Sequence, residues 1–396
     1  MSLTAIDGKV AGGRMARAAG RGRGFRDALA EKAAELGFAA LGVTGGGPLP
    51  EWDSEVRRRV RTGVIPPEQF ERHFRNLVAD PREAMPEAAS ILLLAWPFKP
   101  YTLSLPHGMA GYSAYYRAYP AGRAAAQDLV AELERAGVRA VLQPRLPSKA
   151  LALRAGLGSY GKNSLIYHQE SGSFISLHVI VTDVPLEPDS APVASPPSVT
   201  CDCGDCVECM RACPTGAIQA GGAVDVSRCV RAYMNSGQVV PIEVRKAYGT
   251  SILGCDACER CCPRNAVAMK NAVAPPDEDA EVFSLAGMLG DDPGARRERL
   301  ARMAAAIGRN YSRENRILAD AAVAAGNTKD PMLLVPLGRA LQHPHEPVRA
   351  HAAWAIGEIG GRAAARLLEK ALSVETSDVA RSEAERALER ALAGGN

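Results

Sequence analysis

All ten cysteines of this 396-residue chain lie between Cys201 and Cys262, and this clustering restricts the fold more than any other feature of the sequence. Cysteines that bridge are spread to where loops need closing, whereas a dense group with short, fixed spacings is a metal-binding pattern. Cys203, Cys206, Cys209 and Cys213, followed by Pro214, spell C-x2-C-x2-C-x3-C-P. That run belongs to bacterial ferredoxins: three of its thiolates wrap one 4Fe–4S cubane and the fourth ligates another. The second cubane must find its other ligands downstream. There Cys255, Cys258 and Cys262-Pro263 form a second C-x2-C-x3-C-P group, with Cys229 between the two groups.

The simplest assignment gives cluster one Cys203, Cys206, Cys209 and Cys262, and cluster two Cys213, Cys229, Cys255 and Cys258. Crossed ligands of this kind make the clusters neighbours, so electrons can pass between them and on to an acceptor. Cys201 and Cys261 are left as spare thiols, with Cys261 an alternative to Cys262. Zinc sites also use paired C-x2-C elements, but zinc explains neither the third cysteine of the run nor the two prolines.

The rest of the chain reads as three further regions. Residues 1–24, rich in Gly, Ala and Arg without apolar periodicity, are expected to be a disordered arm. Residues 25–183 alternate helical and strand-like segments, which predicts an α/β domain: helices over 25–36 and 121–136, strands at 38–43, 91–96, 140–142, 164–168 and 174–182. Pro and Ser crowd residues 184–200, a linker, and the double-cluster region follows over 201–275. From 285 to 396 the sequence is helical. Arg316, Arg349 and Arg381 recur at intervals of 33 and 32, each followed seven residues on by an apolar position: Val323, Ile356 and Leu388. This suits HEAT-like repeats, the alternative being an irregular helical bundle. The longest apolar run, 91–96, is far shorter than the ~20 residues a membrane span needs, and no signal peptide heads the chain. A cytoplasmic protein without membrane partners is expected. The net charge of +3 neither demands nor excludes a nucleic-acid partner.

Gly156-Leu-Gly158-Ser159-Tyr160-Gly161 matches G-x-G-x-x-G, but a dinucleotide fingerprint needs a strand before it and a helix after it. Here 149–155 reads as a helix and 164–168 as a strand, so the glycines are instead expected to let backbone approach a large ligand. Lys162 and Asn163 would add polar contacts.

The stretch from Ala155 through Gly156, Gly158, Ser159, Tyr160, Gly161, Lys162 and Asn163 to Ser164, the strand ending Thr182-Asp183, and the double-cluster module with Cys229 between its groups resemble the epoxyqueuosine reductases. The helices running from Arg309-Asn310 to Gly326-Asn327 belong to the same resemblance. Those enzymes are related in logic to reductive dehalogenases. The resemblance implies a base-off cobalamin in the α/β domain, clusters that reduce its cobalt, a cofactor-binding role for Gly156–Ser164, and a tail that docks a transfer RNA whose epoxide-bearing nucleoside is reduced to an alkene. It also implies an external electron donor such as a flavodoxin or ferredoxin.

Two departures fall on the substrate side. The family's Asp-Thr/Ser-Gly-Pro segment, whose Asp is the proposed proton donor, would begin at Leu142, and residues 142–149 hold no carboxylate. The family's Asp-Tyr-His appears as Ala114-Tyr115-Tyr116. A paralogue is expected, reducing an epoxide, halide or activated alkene that need not be the transfer RNA nucleoside. Tyr160, Tyr116 and Lys149 are the candidate proton donors, with His168 and His178 as further titratable groups. The competing readings are an electron-transfer protein without cobalamin and a corrinoid-reducing activator without substrate turnover. RNA binding would draw on arginines of the tail such as Arg339, Arg349, Arg362, Arg366 and Arg381, which are interleaved with acids.

Overall fold

The computed structural model describes residues 23–143, 145–189 and 203–393, so the expected arm (but for its last two residues), most of the linker and Cys201 lie outside the described residues. Contacts gather the chain into two compact units that do not follow the expected sequential division. The first comprises Met1–Lys99, Ala118–Ser227 and Ala257–Asn271; the second Pro100–Arg117, Arg228–Asp256 and Ala272–Asn396. Cys229 and Cys255 fall in the second unit and the other described cysteines in the first.

The first unit is built on a four-stranded sheet in the order Ala40–Gly45, Ser90–Pro97, Ile175–Thr182, Ala140–Leu142, with every pairing antiparallel. Helices cover both faces, which is why Ser90 to Ala95 is buried without alternation. On one face Leu92, Leu94 and Ile180 meet Phe25 and Leu29 of helix Arg23–Glu35 and Leu129 and Leu133 of helix Tyr115–Arg135. On the other, Ile91, Leu93, Val179 and Val181 meet Leu151 and Ala152 of helix Ser148–Arg154.

Several boundaries differ from the sequence expectation. The long helix begins at Tyr115 rather than 121, running through Pro120; proline costs one backbone hydrogen bond, and the buried Tyr116 holds the first turn in place. Helices Pro50–Arg61 and Pro67–His73 carry no apolar stripe, Val56 being the buried residue of the first, so periodicity gives no sign of them. The start of the expected linker is sheet-bound: Val43 N donates to Asp189 Oδ2 at 2.7 Å, and Asp189 N donates back to Val43 O. No helix among the described residues is long and apolar enough to cross a membrane.

The second unit is dominated by paired helices. Glu314–Thr328, Glu346–Ile359 and Asp378–Ala393 stack in succession, with Leu334–Ala340 and Gly361–Leu372 between them. Glycines set the stacking distance: a Cβ on Gly326 would stand 2.8 Å from the Ala355 Cα, and one on Gly357 2.7 Å from the Ala387 Cα. Gly357→Ala is therefore expected to lower stability by about 1–3 kcal/mol through overpacking, read as a drop in the urea midpoint with an unchanged slope.

Candidate iron–sulfur site

Two short helices of the first unit, Glu208–Ala212 and Ala257–Arg260, pack against each other. Each carries a cysteine, Cys209 and Cys258, and each leads to a Cys-Pro pair. Proline disfavours helical conformation in the residue before it, and Cys213 (φ −68°, ψ 115°) and Cys262 (φ −71°, ψ 125°) leave their helices extended. In the second unit Cys229 has nearly the same backbone, φ −70° and ψ 117°. None of the described cysteines is in a disulfide.

Thiols from both halves share one neighbourhood. Burial raises the Cys209 thiol above its ordinary range, and the charges of Cys203, Cys262 and Cys206 raise it further. Cys261 is pushed to about 11 by burial and by Cys209 and Cys262, and its thiol faces the Cys258 carbonyl at 3.6 Å. Cys262 instead meets the Tyr167 hydroxyl. Burial also acts on Cys213, but backbone amides of Thr215, Ala217 and Ile218 and the Thr215 hydroxyl outweigh it and hold that thiol below its usual value. The Ala217 amide donates to its sulfur at 3.2 Å. Donors aimed at a ligand sulfur favour the thiolate a cluster needs and tune its potential. Among the described residues no three His, Cys, Asp or Glu side chains are gathered as a single metal ion requires.

The Gly-rich loop lies beside these thiols. It follows helix Ser148–Arg154 and runs into a hairpin pairing Ser159 with Tyr167 and Tyr160 with Ile166, a context unlike the dinucleotide fingerprint. Its glycines answer to the hairpin itself: a Cβ on Gly158 would stand 2.7 Å from the Tyr167 carbonyl oxygen, and one on Gly161 2.6 Å from the Tyr167 ring, while Gly156 has φ +69°. Lys162 Nζ donates to Gly204 O at 2.6 Å and Cys206 O at 3.0 Å. Buried Asn163 donates to Cys258 O at 3.0 Å and Tyr167 Oη at 2.9 Å. Ser164 Oγ donates to Gly222 O, and Ser164 O accepts from Lys149 Nζ at 2.9 Å. The polar atoms expected to meet a corrin are thus bonded within the protein. Lys162 holds the loop at Gly204 and Cys206, and Asn163 the turn at Cys258.

A second clamp escapes the sequence reading. Asn265, 1% exposed, donates to Ser173 Oγ at 2.8 Å and Glu259 O at 2.7 Å and accepts from Ser173 N at 2.9 Å. It fixes the turn after Cys262 against residue 173. The sequence holds only a faint sign of it, Gly172, whose φ of +61° and contact with the Asn265 side chain leave no room for a Cβ.

The candidate proton donors separate. Tyr160 is half-buried beside the loop, and burial raises its hydroxyl well above the usual value, the nearby Arg59 opposing. Tyr116, in the second unit, is 1% exposed, its ring 4.8 Å from that of Tyr311 and 5.5 Å from the Arg231 guanidinium, and its hydroxyl is buried without a hydrogen-bond partner. Lys149 is exposed with its ammonium on Ser164 O. His168 accepts from Ser171 N, and His178, lowered to about 4 by burial and by Arg123, bonds Ser176 inside the first unit's core. Leu142 packs its side chain onto that core.

Comparison with known proteins fits this geometry. Residues 202–265 match the family model of a 4Fe-4S double cluster binding domain, and residues 304–389 that of HEAT repeats. The epoxyqueuosine reductase of Bacillus subtilis (strain 168) is 32% identical over 262 residues, covering 63% of this chain and 63% of that protein. The alignment therefore spans less than two thirds of that relative's length. A solved selenomethionine-labelled epoxyqueuosine reductase superposes with a TM-score of 0.74 at 25% identity, covering 92% of this chain and 98% of that one. Another, solved with an epoxyqueuosine-modified tRNA-Tyr stem loop, gives 0.75 at 24% identity, covering 93% and 98%.

Proposed function

Starting from the chain's homology to the epoxyqueuosine reductases, we propose that it is an iron–sulfur reductase that collects electrons on two 4Fe–4S clusters and delivers them to a carbon electrophile. The observation that carries the reading is the convergence of Cys203, Cys206 and Cys209 with Cys262 from far along the chain. These four are the proposed ligands of the first cluster. Cys213, Cys229, Cys255 and Cys258 are proposed for the second on spacing alone. Two clusters suit the chemistry: taking an epoxide oxygen away as water, leaving an alkene, consumes two electrons and two protons, and each cluster carries one electron at a time. An external donor such as a flavodoxin or ferredoxin would refill them.

The resemblance to the epoxyqueuosine reductases supports cobalamin as a further cofactor. When bound, that cofactor supplies a low-potential cobalt able to pass electrons to carbon. The loop 156–164 is proposed to meet it through backbone, since the Lys162 and Asn163 side chains already bond carbonyls of the cysteine loops. Tyr160 is the proposed proton donor: a hydroxyl whose burial keeps it protonated can give a proton beside the loop.

The substrate is proposed to be an epoxide, halide or activated alkene other than the transfer RNA nucleoside. Residues 142–149 lack the family's carboxylate. Two of the arginines expected to read RNA are also engaged: Arg349 grips Glu375 through two bonds of 2.7 and 2.8 Å, and Arg381 bonds the Glu375 backbone carbonyl. The engagement of the loop's polar groups favours, as a second reading, electron transfer without substrate turnover.

The test is anaerobic reconstitution with iron, sulfide and cobalamin, reduction, and addition of candidate electrophiles. Retention of a base-off cob(II)alamin EPR signal, with reoxidation of the protein matched to product formed, is the expected result. Reduced clusters that no epoxide, halide or alkene reoxidises, with no corrin retained, would leave the electron-transfer reading standing instead.

A further inference from the structure

The repeat helices of the second unit offer a ladder of buried polar side chains. Asp320, His351 and Glu383 stand on Glu314–Thr328, Glu346–Ile359 and Asp378–Ala393, 31 and 32 residues apart, and are 2%, 0% and 9% exposed. Helix cores rarely bury such groups unless each has a partner. Here each of the three has a partner in one segment, residues 235–249. Asp320 accepts from Asn235 N at 2.6 Å and from Tyr248 Oη at 3.2 Å. His351 Nε2 accepts from Val240 N at 3.0 Å, which puts its proton on Nδ1, donating to Ala319 O at 3.0 Å. Glu383 takes the Arg245 guanidinium at 2.8 and 3.3 Å, while Arg245 Nε donates to Val240 O. On the Asp320 helix, seven residues on, Asn327 donates to Arg245 O and Gly249 O, both at 2.8 Å.

The gripped segment begins six residues after Cys229 and ends six before Cys255. It has little regular structure of its own beyond the short helix Ile242–Ala247, and Asn235 holds φ +59°, a conformation that only a fixed partner sustains at low cost. We propose that the helical repeats are the positioning scaffold of the second cluster: the ladder Asp320–His351–Glu383 holds the segment whose two ends carry Cys229 and Cys255. The inference rests on the two-cluster reading above. It gives the repeats a role inside the chain, whether or not they also meet a partner.

Asp320→Ala leaves the Asn235 amide buried without an acceptor, and the second cluster should then be the one lost. After anaerobic reconstitution the iron is expected to fall from about eight to about four atoms per chain, the surviving EPR signal being the one that disappears in Cys262→Ala. Asp320→Asn keeps the side chain's shape and covers the case in which the alanine variant fails to fold; it should shift the midpoint potential of one cluster and leave the other unchanged, a readout that general loosening would not separate. Full iron and both signals unaltered in Asp320→Ala, or both potentials unmoved in Asp320→Asn, would overturn the inference. A wild-type chain that takes up only about four irons would instead sink the two-cluster reading on which it rests.

Discussion

Replacing Cys262 by alanine is expected to halve the iron held after anaerobic reconstitution, from about eight atoms per chain to about four, whereas Cys261→Ala keeps the full complement. The two thiols are adjacent in sequence and both stand near Cys209, so proximity alone does not separate them. Backbone and partners do. Cys262 is extended ahead of Pro263 and meets Tyr167, whose hydroxyl also takes the Asn163 amide; Cys261 has its thiol toward the Cys258 carbonyl and is held protonated up to about 11. The assignment rests on the extended Cys-Pro backbone that Cys262 shares with Cys213 and on the turn of the Cys261 thiol toward a carbonyl. Equal loss of iron in both variants, by colorimetric assay and EPR, would contradict the assignment.

The double-cluster domain is legible in the sequence because cubane geometry imposes short, fixed cysteine spacings, and those spacings survive whatever surrounds them. The sheet is legible too: Ser90–Pro97, buried through most of its length, reads as an apolar run, and Ile175–Thr182 is rich in β-branched residues. What surrounds the ligands is less so. Lys162 and Asn163 look like groups offered to a ligand, yet they bond the backbones of Cys206 and Cys258, 44 and 95 residues away, and no local pattern encodes partners that distant. Asn265 and the polar ladder are hidden in the same way. Arg349 and Arg381 recur with the repeat as expected, and both bond Glu375, the first its carboxylate and the second its backbone carbonyl.

Acid is expected to destabilise the second unit through His351. Burial, with Arg245 opposing protonation, holds this imidazole at about 3, against an ordinary 6.5; the Ala319 carbonyl and Glu383 pull the other way, and His345 adds to the lowering. The unfolded chain takes up the proton near 6.5 and the folded one only near 3, so the His351 contribution is complete above about pH 6.5 and is lost as the pH falls toward 3. The span corresponds to a destabilisation on the order of 3–5 kcal/mol. Asp320 opposes this: burial raises it to about 8, so its contribution is full below the usual carboxylate value and fades as the pH rises through that range. Urea midpoints of the wild type and His351→Gln between about pH 4 and about pH 7 separate the two, because glutamine can accept from Val240 N without titrating. A flatter acid limb in the variant is the expected result, and parallel limbs would remove His351 as its cause.

The most direct test of the central claim is the iron and sulfide content of the anaerobically reconstituted wild-type chain, read together with the EPR spectrum during a stepwise reductive titration. About eight irons and eight sulfides per chain, with two reduced-cluster signals appearing at separate potentials, is the predicted outcome. Four irons or fewer, a single signal, or a chain that takes up zinc in preference and shows no reducible centre would contradict the claim that this protein moves electrons through a pair of clusters.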